Sequence, residues 1–268
     1  DMSVLLNISP DHLDRHGGMD GYVEAKARIL KALDGRGLAI LGDGDGHVRS
    51  LAMAWTAEGH PVEIARSNDA PPSIAACPAL TGAHNAENAA AAALVLRQLG
   101  VSTTIIDQGM ESFAGLPHRL QHVASAGPIT FVNDSKATNG VAAARALQAF
   151  ENIYWVAGGL AKEDGIGAAV QALEHVTSAY LIGESTPVFA SALEGRCPAT
   201  EHGDLRAATT AAFADAWAGG IAATVLLAPA AASFDQFESF AARGDAFTGI
   251  ARQLAASVGG TGTGGAHA

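Results

Sequence analysis

Short apolar runs, rich in β-branched and aromatic residues, alternate with longer Ala-rich amphipathic stretches along most of the chain. This alternation predicts parallel strands covered by helices. The predicted strands are residues 2–8, 38–41, 61–64, 129–132, 153–156, 179–182 and 224–227. The predicted helices are residues 21–33, 47–58, 84–99, 139–149, 187–194, 204–217 and 235–256. We therefore expect an α/β protein that binds its ligands in loops beyond the carboxyl ends of its strands.

A domain boundary is predicted near Gly115, where residues 116–119 (LPHR) separate a short helical stretch from a new series of strand–helix units. The expected domains are 1–115 and 116–256. Residues 257–268 are Gly-rich with little to bury, so we expect a flexible tail. The chain opens with Asp1 and runs directly into a predicted strand, which suggests the C-terminal part of a longer protein.

Charge and composition exclude several classes of function. The net charge is −11, and a diffuse negative field repels nucleic acid and anionic lipid. No apolar run approaches the roughly 18 residues that a membrane span requires. Cys77 and Cys197 match no metal or redox spacing and are expected to be free thiols. A monomeric cytoplasmic protein without membrane insertion is expected.

Two loops in the first half carry polar residues that a fold does not need. Residues 7–16 combine His12 with acidic residues and precede a helix that bears Lys26. His and carboxylate suit Mg²⁺ or Zn²⁺, although the spacing alone favours a solvated turn with helix caps. Asn85 and Asn88 are spaced to share one helix face. Their side-chain amides could hydrogen-bond to a nucleotide base or to an amide substrate. Capping of the helix would explain one of the two residues.

Two further loops follow predicted strands of the second half. Residues 133–139 (NDSKATN) precede a helix, and its N-terminal amides with Lys136 could bind phosphate or carboxylate. Residues 158–164 carry a lone cation, Lys162. Of the four lysines, only Lys31 lies away from these segments, and none forms a Gly-Lys-Ser/Thr phosphate loop. Ser233 lies at a strand–helix junction without a nucleophile elbow, which indicates capping or substrate contact.

Together these segments resemble the Mur ligases of peptidoglycan synthesis. The resemblance is carried, in the family's order, by residues 6–15, 22–26, 82–88, 115–119, 133–139 and 235–237. The first three are shared across the family, whereas NDSKATN is similar to the branch that adds D-glutamate. The resemblance implies that residues 1–115 are the C-terminal part of the central ATP-binding domain. It also implies that residues 116–256 are the Rossmann-like amino-acid-binding domain.

The activity implied by the resemblance is ATP-dependent amide ligation. ATP and Mg²⁺ would convert the carboxylate of UDP-N-acetylmuramoyl-L-alanine to an acyl phosphate, which the D-glutamate amine attacks. The family's UDP-binding domain, its Gly-Lys-Thr loop and a metal-ligating Glu have no counterpart in this sequence, so the chain alone is expected to be inactive. Two alternatives remain: a related ligase for another amino acid such as L-glutamate, or a non-catalytic nucleotide- or glutamate-binding module.

The resemblance also implies roles for individual residues. Lys26 would be carbamylated, which a desolvated site favours because it stabilises the neutral amine, and it would hold Mg²⁺ with His12. Lys136 would approach the phosphates or the incoming amino acid. Contacts to the nucleotide would come from Asn85 and Asn88 at adenine and from Arg119 and Asp134 at the ribose and phosphates. The D-glutamate pocket would be formed by Thr138, Lys162, Ser233, Phe234 and Phe240. Closure of the C-terminal domain would assemble the site.

Overall fold

The computed structural model of the protein describes residues 1–10, 13–80, 82–161 and 165–259. The chain divides into two compact units, Asp1–Ala114 and Gly115–Ala268. Within the described ranges, no helix has both the length and the apolar character that crossing a membrane requires.

The first unit contains a three-stranded parallel sheet with the order β1-β2-β3. Its strands are β1 (Met2–Leu5), β2 (Leu38–Gly42) and β3 (Val62–Ala65). Its helices are α1 (Leu13–His16), α2 (Met19–Lys31), α3 (Gly46–Ala57), α4 (Ala83–Gln98) and α5 (Thr103–Glu111). Three short 3₁₀ segments, Ser67–Asp69, Pro72–Ala76 and Pro78–Leu80, connect β3 to α4.

Both faces of the β1-β2-β3 sheet are covered, which explains why β2 is an uninterrupted apolar run. Leu41 packs with Leu30 of α2 and Val48 of α3 on one face. Ile40, its neighbour in β2, points to the other face and packs with Ala90 of α4. The alanines of α4 have little side-chain bulk, so this helix packs close to the sheet.

The second unit contains a six-stranded sheet with the order β4-β5-β9-β6-β7-β8. Its strands are β4 (Gln121–Ala126), β5 (Ile129–Asn133), β6 (Ile153–Gly158), β7 (Val176–Ile182), β8 (Ala199–Glu201) and β9 (Ala223–Leu227). Its helices are α6 (Gly140–Leu147), α7 (Gly167–Val170), α8 (Thr186–Leu193), α9 (Leu205–Gly219) and α10 (Phe240–Gly259). All neighbouring strands are parallel except β4 and β5.

Helices cover both faces of the six-stranded sheet. Trp155 of β6 and Phe189 of α8 are fully buried on one face, in the cluster that also contains α6 and α7. Phe131 of β5 packs on the opposite face with Phe213 of α9 and Phe247 of α10. This arrangement confirms the predicted α/β class and brings the carboxyl ends of β5, β9, β6 and β7 to one edge of the sheet.

Several element boundaries differ from the sequence-based expectation. The first strand ends at Leu5 instead of residue 8, and the last helix begins at Phe240 instead of residue 235. Strand β4 was not predicted, because its sequence QHVASA mixes polar and apolar residues without regular alternation. Strand β8 was also missed, because all three of its residues are exposed at the sheet edge. Both are edge strands, where only one neighbour determines the conformation.

Candidate functional site

Three loops at the carboxyl edge of the six-stranded sheet are joined through their backbones. We call them the strand-end loops: residues 133–139 after β5, 158–161 after β6 and 228–239 after β9. The Ala230 N–H donates to the Ala137 carbonyl at 2.9 Å. Leu160 and Ala232 exchange a pair of N–H···O bonds of 2.9 and 3.0 Å. The three loops therefore form one connected surface beyond the strands.

Six of the residues predicted to be functional lie on or beside the strand-end loops. They are Asp134, Lys136, Thr138, Ser233, Phe234 and Phe240. Ser233 is buried, Lys136, Thr138 and Phe240 are half-buried, and Phe234 is exposed. The Lys136 ammonium lies 4.7 Å from the centroid of the Phe240 ring, within the range of a cation–π contact. The structure thus brings a cation and an aromatic ring together at this edge.

Asp134 is the ionisable group with the most unusual environment in the strand-end loops. Burial raises its pKa to about 6 because the charged carboxylate loses solvation. A hydrogen bond from the Leu120 N–H to Oδ1 (3.3 Å) and the charge of Arg119 both oppose this shift. Arg119 itself is exposed. Asp134 can therefore change its protonation state close to neutral pH.

Arg243 of α10 is a site-forming residue that the sequence analysis missed. Its side chain is only 1% exposed, and burial lowers its pKa to about 10 while Asp235 opposes the shift. The guanidinium donates to all three strand-end loops; its acceptors are Ser135 Oγ, Ser135 O, Ala231 O, Ala232 O and Gly158 O. A single arginine in an otherwise unremarkable amphipathic stretch gives no local signal of this role.

Asn133 and His118 were also missed as individual residues, although both lie in motifs that carry the resemblance. The fully buried Asn133 side chain donates to the Gly244 carbonyl of α10 at 2.8 Å and lies 3.1 Å from His118 Nδ1. His118 adopts a φ of 61° and is 8% exposed. These two residues attach α10 to the end of β5.

The amide pair of α4 is present in the first unit. Asn88 Nδ2 donates to Asn85 Oδ1 at 3.3 Å, so the two side chains share one helix face as predicted. The capping explanation for one of them is wrong, because the helix is preceded by Gly82 as its N-cap residue. Glu87, between them, accepts hydrogen bonds from the Asp43 and Gly44 N–H groups and fixes the loop after β2.

The expected metal site is not formed by the described residues. Lys26 is exposed and lies over the ring of Tyr22 at 5.3 Å, so the desolvated environment expected for it is absent from this part of the structure. His12 and Lys162 lie outside the described residues. Among the residues that are described, no three His, Cys, Asp or Glu side chains cluster in a way that could hold a metal ion.

A cavity of about 580 Å³ lies beyond the ends of β7 and β8. Glu184, Glu201 and Asp235 contribute to its wall, and among the described lining residues His202 is the one basic side chain. Such an acidic lining repels an anionic amino acid. None of the predicted site residues that the structure describes lines this cavity.

Comparison with known proteins gives a consistent result for sequence and fold. The profile of the Mur ligase middle domain matches residues 1–70, and that of the Mur ligase glutamate ligase domain matches residues 118–231. The chain is 41% identical to a UDP-N-acetylmuramoylalanine--D-glutamate ligase of Phenylobacterium zucineum, over 95% of this chain and 59% of the relative. The chain thus spans about three fifths of that relative's length.

Solved structures share the fold. The crystal structure of MurF from Acinetobacter baumannii superposes with a TM-score of 0.62 at 23% identity, covering 90% of this chain and 59% of that one. A bifunctional folylpolyglutamate synthase/dihydrofolate synthase from Yersinia pestis, complexed with AMPPNP and Mn ion, gives 0.58 at 21%, covering 96% and 61%. From the two domain profiles and the relative at 41% identity, we conclude that the chain belongs to the Mur ligase family.

Proposed function

We propose that this chain is part of an ATP-dependent ligase that joins D-glutamate to UDP-N-acetylmuramoyl-L-alanine. The observation that carries the proposal is the convergence of Lys136, Thr138, Ser233 and Phe240 at the carboxyl edge of the six-stranded sheet. The name of the relative at 41% identity, which specifies UDP-N-acetylmuramoylalanine and D-glutamate, supports the choice of substrates.

In this proposal the strand-end loops bind the incoming amino acid. D-Glutamate carries two carboxylates, and Lys136 and Lys162 would supply positive charge for them. Thr138 and Ser233 would donate hydrogen bonds from their hydroxyl groups. Phe240 and Phe234 would provide apolar walls for the methylene groups. Because Lys136 already contacts the Phe240 ring, the cation and one wall are in place before substrate binds.

The nucleotide would be bound by a second group of residues. Asn85 and Asn88 present paired amides, which suit the donor and acceptor edge of adenine. Arg119 and Asp134 would contact the ribose and phosphates. The AMPPNP and Mn ion in the Yersinia pestis structure support a nucleotide and a divalent cation as ligands of this fold. Mg²⁺ ligation by His12 and carbamylated Lys26 stays a prediction.

The reaction proceeds in two stages. The terminal phosphoryl group of ATP is transferred to a carboxylate oxygen of UDP-N-acetylmuramoyl-L-alanine, which releases ADP and gives an acyl phosphate. The neutral amine of D-glutamate then attacks the acyl carbon, loses a proton, and expels inorganic phosphate as the amide forms. The buried guanidinium of Arg243 beside the strand-end loops favours binding of the anionic amino acid next to the acyl phosphate.

The proposal is tested with an amino-acid panel. Because the sequence contains no Gly-Lys-Ser/Thr loop, we expect turnover only when the chain is joined to the segment of the Phenylobacterium relative that it does not match. ADP release from this joined protein should require D-glutamate and the UDP substrate. Preference for L-glutamate or another amino acid would indicate a different Mur-type ligase. Binding without turnover would indicate a non-catalytic module.

A further inference from the structure

We propose that Ser135 and Arg243 are positioning residues. They hold the Lys136 ammonium against the Phe240 ring at the strand-end loops. The inference rests on the proposed function only for the identity of the ligand, D-glutamate. The positioning itself follows from the contacts of these four residues and has a readout that needs no ligand.

Ser135 uses all of its hydrogen-bonding groups inside the protein. Its side chain is fully buried, and Oγ donates to the Phe240 carbonyl at 2.7 Å while accepting from Arg243 Nε at 3.0 Å. Its N–H donates to Asn133 Oδ1 at 3.1 Å, and its carbonyl accepts from Arg243 Nη2 at 3.0 Å. A fully satisfied buried network holds its members in one arrangement. Ser135 therefore links the first residue of α10 to the loop after β5.

Arg243 extends this linkage to the other two strand-end loops. Nη2 donates to the Ala231 carbonyl at 3.1 Å, and Nη1 donates to Ala232 O at 3.2 Å and Gly158 O at 3.4 Å. A buried cation surrounded mainly by carbonyl groups is expensive compared with an apolar side chain of similar size. The planar fork of arginine, however, can bridge several acceptors at fixed angles. This geometry accounts for an arginine at the position.

The network explains how Lys136 and Phe240 come to lie against each other. Lys136 follows Ser135 directly, and its ammonium is 4.7 Å from the ring whose backbone carbonyl Ser135 holds. Loss of the Ser135 hydroxyl would free the Phe240 carbonyl and leave Arg243 Nε without its acceptor. The ring would then shift relative to the ammonium, and the proposed glutamate pocket would lose its fixed shape.

The test compares Ser135→Ala with Thr209→Val, each of which deletes one fully buried hydroxyl. Thr209 Oγ1 donates to Leu205 O at 2.7 Å within α9, away from the strand-end loops, so its loss reports on stability alone. The first readout is the ring-current shift of the Lys136 ε-methylene protons, which is tractable because the chain has four lysines. The second is D-glutamate affinity by NMR titration of the 268-residue chain.

We expect Ser135→Ala to abolish the ring-current shift and to weaken D-glutamate binding about tenfold, the effect of losing one well-placed hydrogen bond. Thr209→Val should retain both. Arg243→Lys, which keeps the charge but not the fork, should resemble Ser135→Ala. An unchanged ring-current shift in folded Ser135→Ala overturns the positioning claim, whatever the affinity. A wild-type chain with the shift but no D-glutamate binding contradicts the proposed substrate and leaves the positioning claim intact.

Discussion

The replacement Asp134→Asn should stabilise the second unit at neutral pH. The buried carboxyl group of Asp134 has its pKa raised from 3.8 to about 6, so the native state holds this proton more tightly than the unfolded chain. Its favourable contribution is therefore complete below pH 3.8 and is lost as the pH rises through about 6. Asparagine has almost the same shape and keeps an oxygen for the Leu120 N–H, but it never becomes charged.

The size of the effect follows from the two pKa values. Each pKa unit corresponds to about 1.4 kcal/mol at 25 °C, so the difference between 3.8 and about 6 corresponds to about 3 kcal/mol. Above pH 6 the ionised carboxylate costs the native protein this amount, and Asp134→Asn removes the cost. Near pH 4 the native carboxyl group is already neutral, and the two proteins should be almost equally stable.

Urea unfolding at several pH values, followed through the fluorescence of the three tryptophans, one of which is the buried Trp155 of this unit, measures the difference. The exposed carboxylate of Glu174, in the same unit, provides the matched control Glu174→Gln, which replaces a carboxylate that is not buried. A constant stability difference between Asp134→Asn and wild type from about pH 4 to about pH 8 would show that the burial reasoning is wrong. Retention of so costly a group in the wild type fits a functional role for Asp134.

Two further predictions concern helix α6 and Lys26. Asn139→Ala removes the side-chain cap whose Oδ1 accepts from Ala142 N–H at 2.8 Å, and should lower the free energy of unfolding by about 1 kcal/mol in urea denaturation. An unchanged midpoint would mean that the cap contributes nothing. Lys26→Ala should abolish ADP release by the joined ligase described above, with partial rescue by a small carboxylate such as acetate. Full turnover by this variant would remove the carbamate hypothesis.

Local sequence patterns were sufficient for most of the fold. Strand β2 was predictable because its Leu38, Ile40 and Leu41 are apolar in a sheet that is covered on both faces. Strand β8 was not, because its three exposed residues are held in place by pairing with β7 and not by their own burial. The start of α10 was misplaced because residues 235–239 are helix-compatible in sequence but are held in the loop, where Asp235 accepts from the Glu184 N–H.

The candidate site was predictable only where its residues follow strands directly. Lys136 and Thr138 stood out because they follow the end of β5, where a parallel sheet places its ligands. Arg243 could not be recognised in this way, because its hydrogen-bond partner Ser135 lies 108 residues earlier in the chain. Lys26 lies on the exposed side of α2 in the described structure, and its role as a carbamylated metal ligand stays a prediction.

The account is tested most directly by titrating the isotope-labelled chain with D-glutamate and, separately, with L-glutamate. We predict saturable shifts of the backbone amides in residues 133–139 and 228–239 with D-glutamate, and much weaker shifts with L-glutamate. Contradiction would come from equal responses to the two enantiomers, from shifts confined to the acidic cavity of Glu184 and Glu201, or from no saturable response at all.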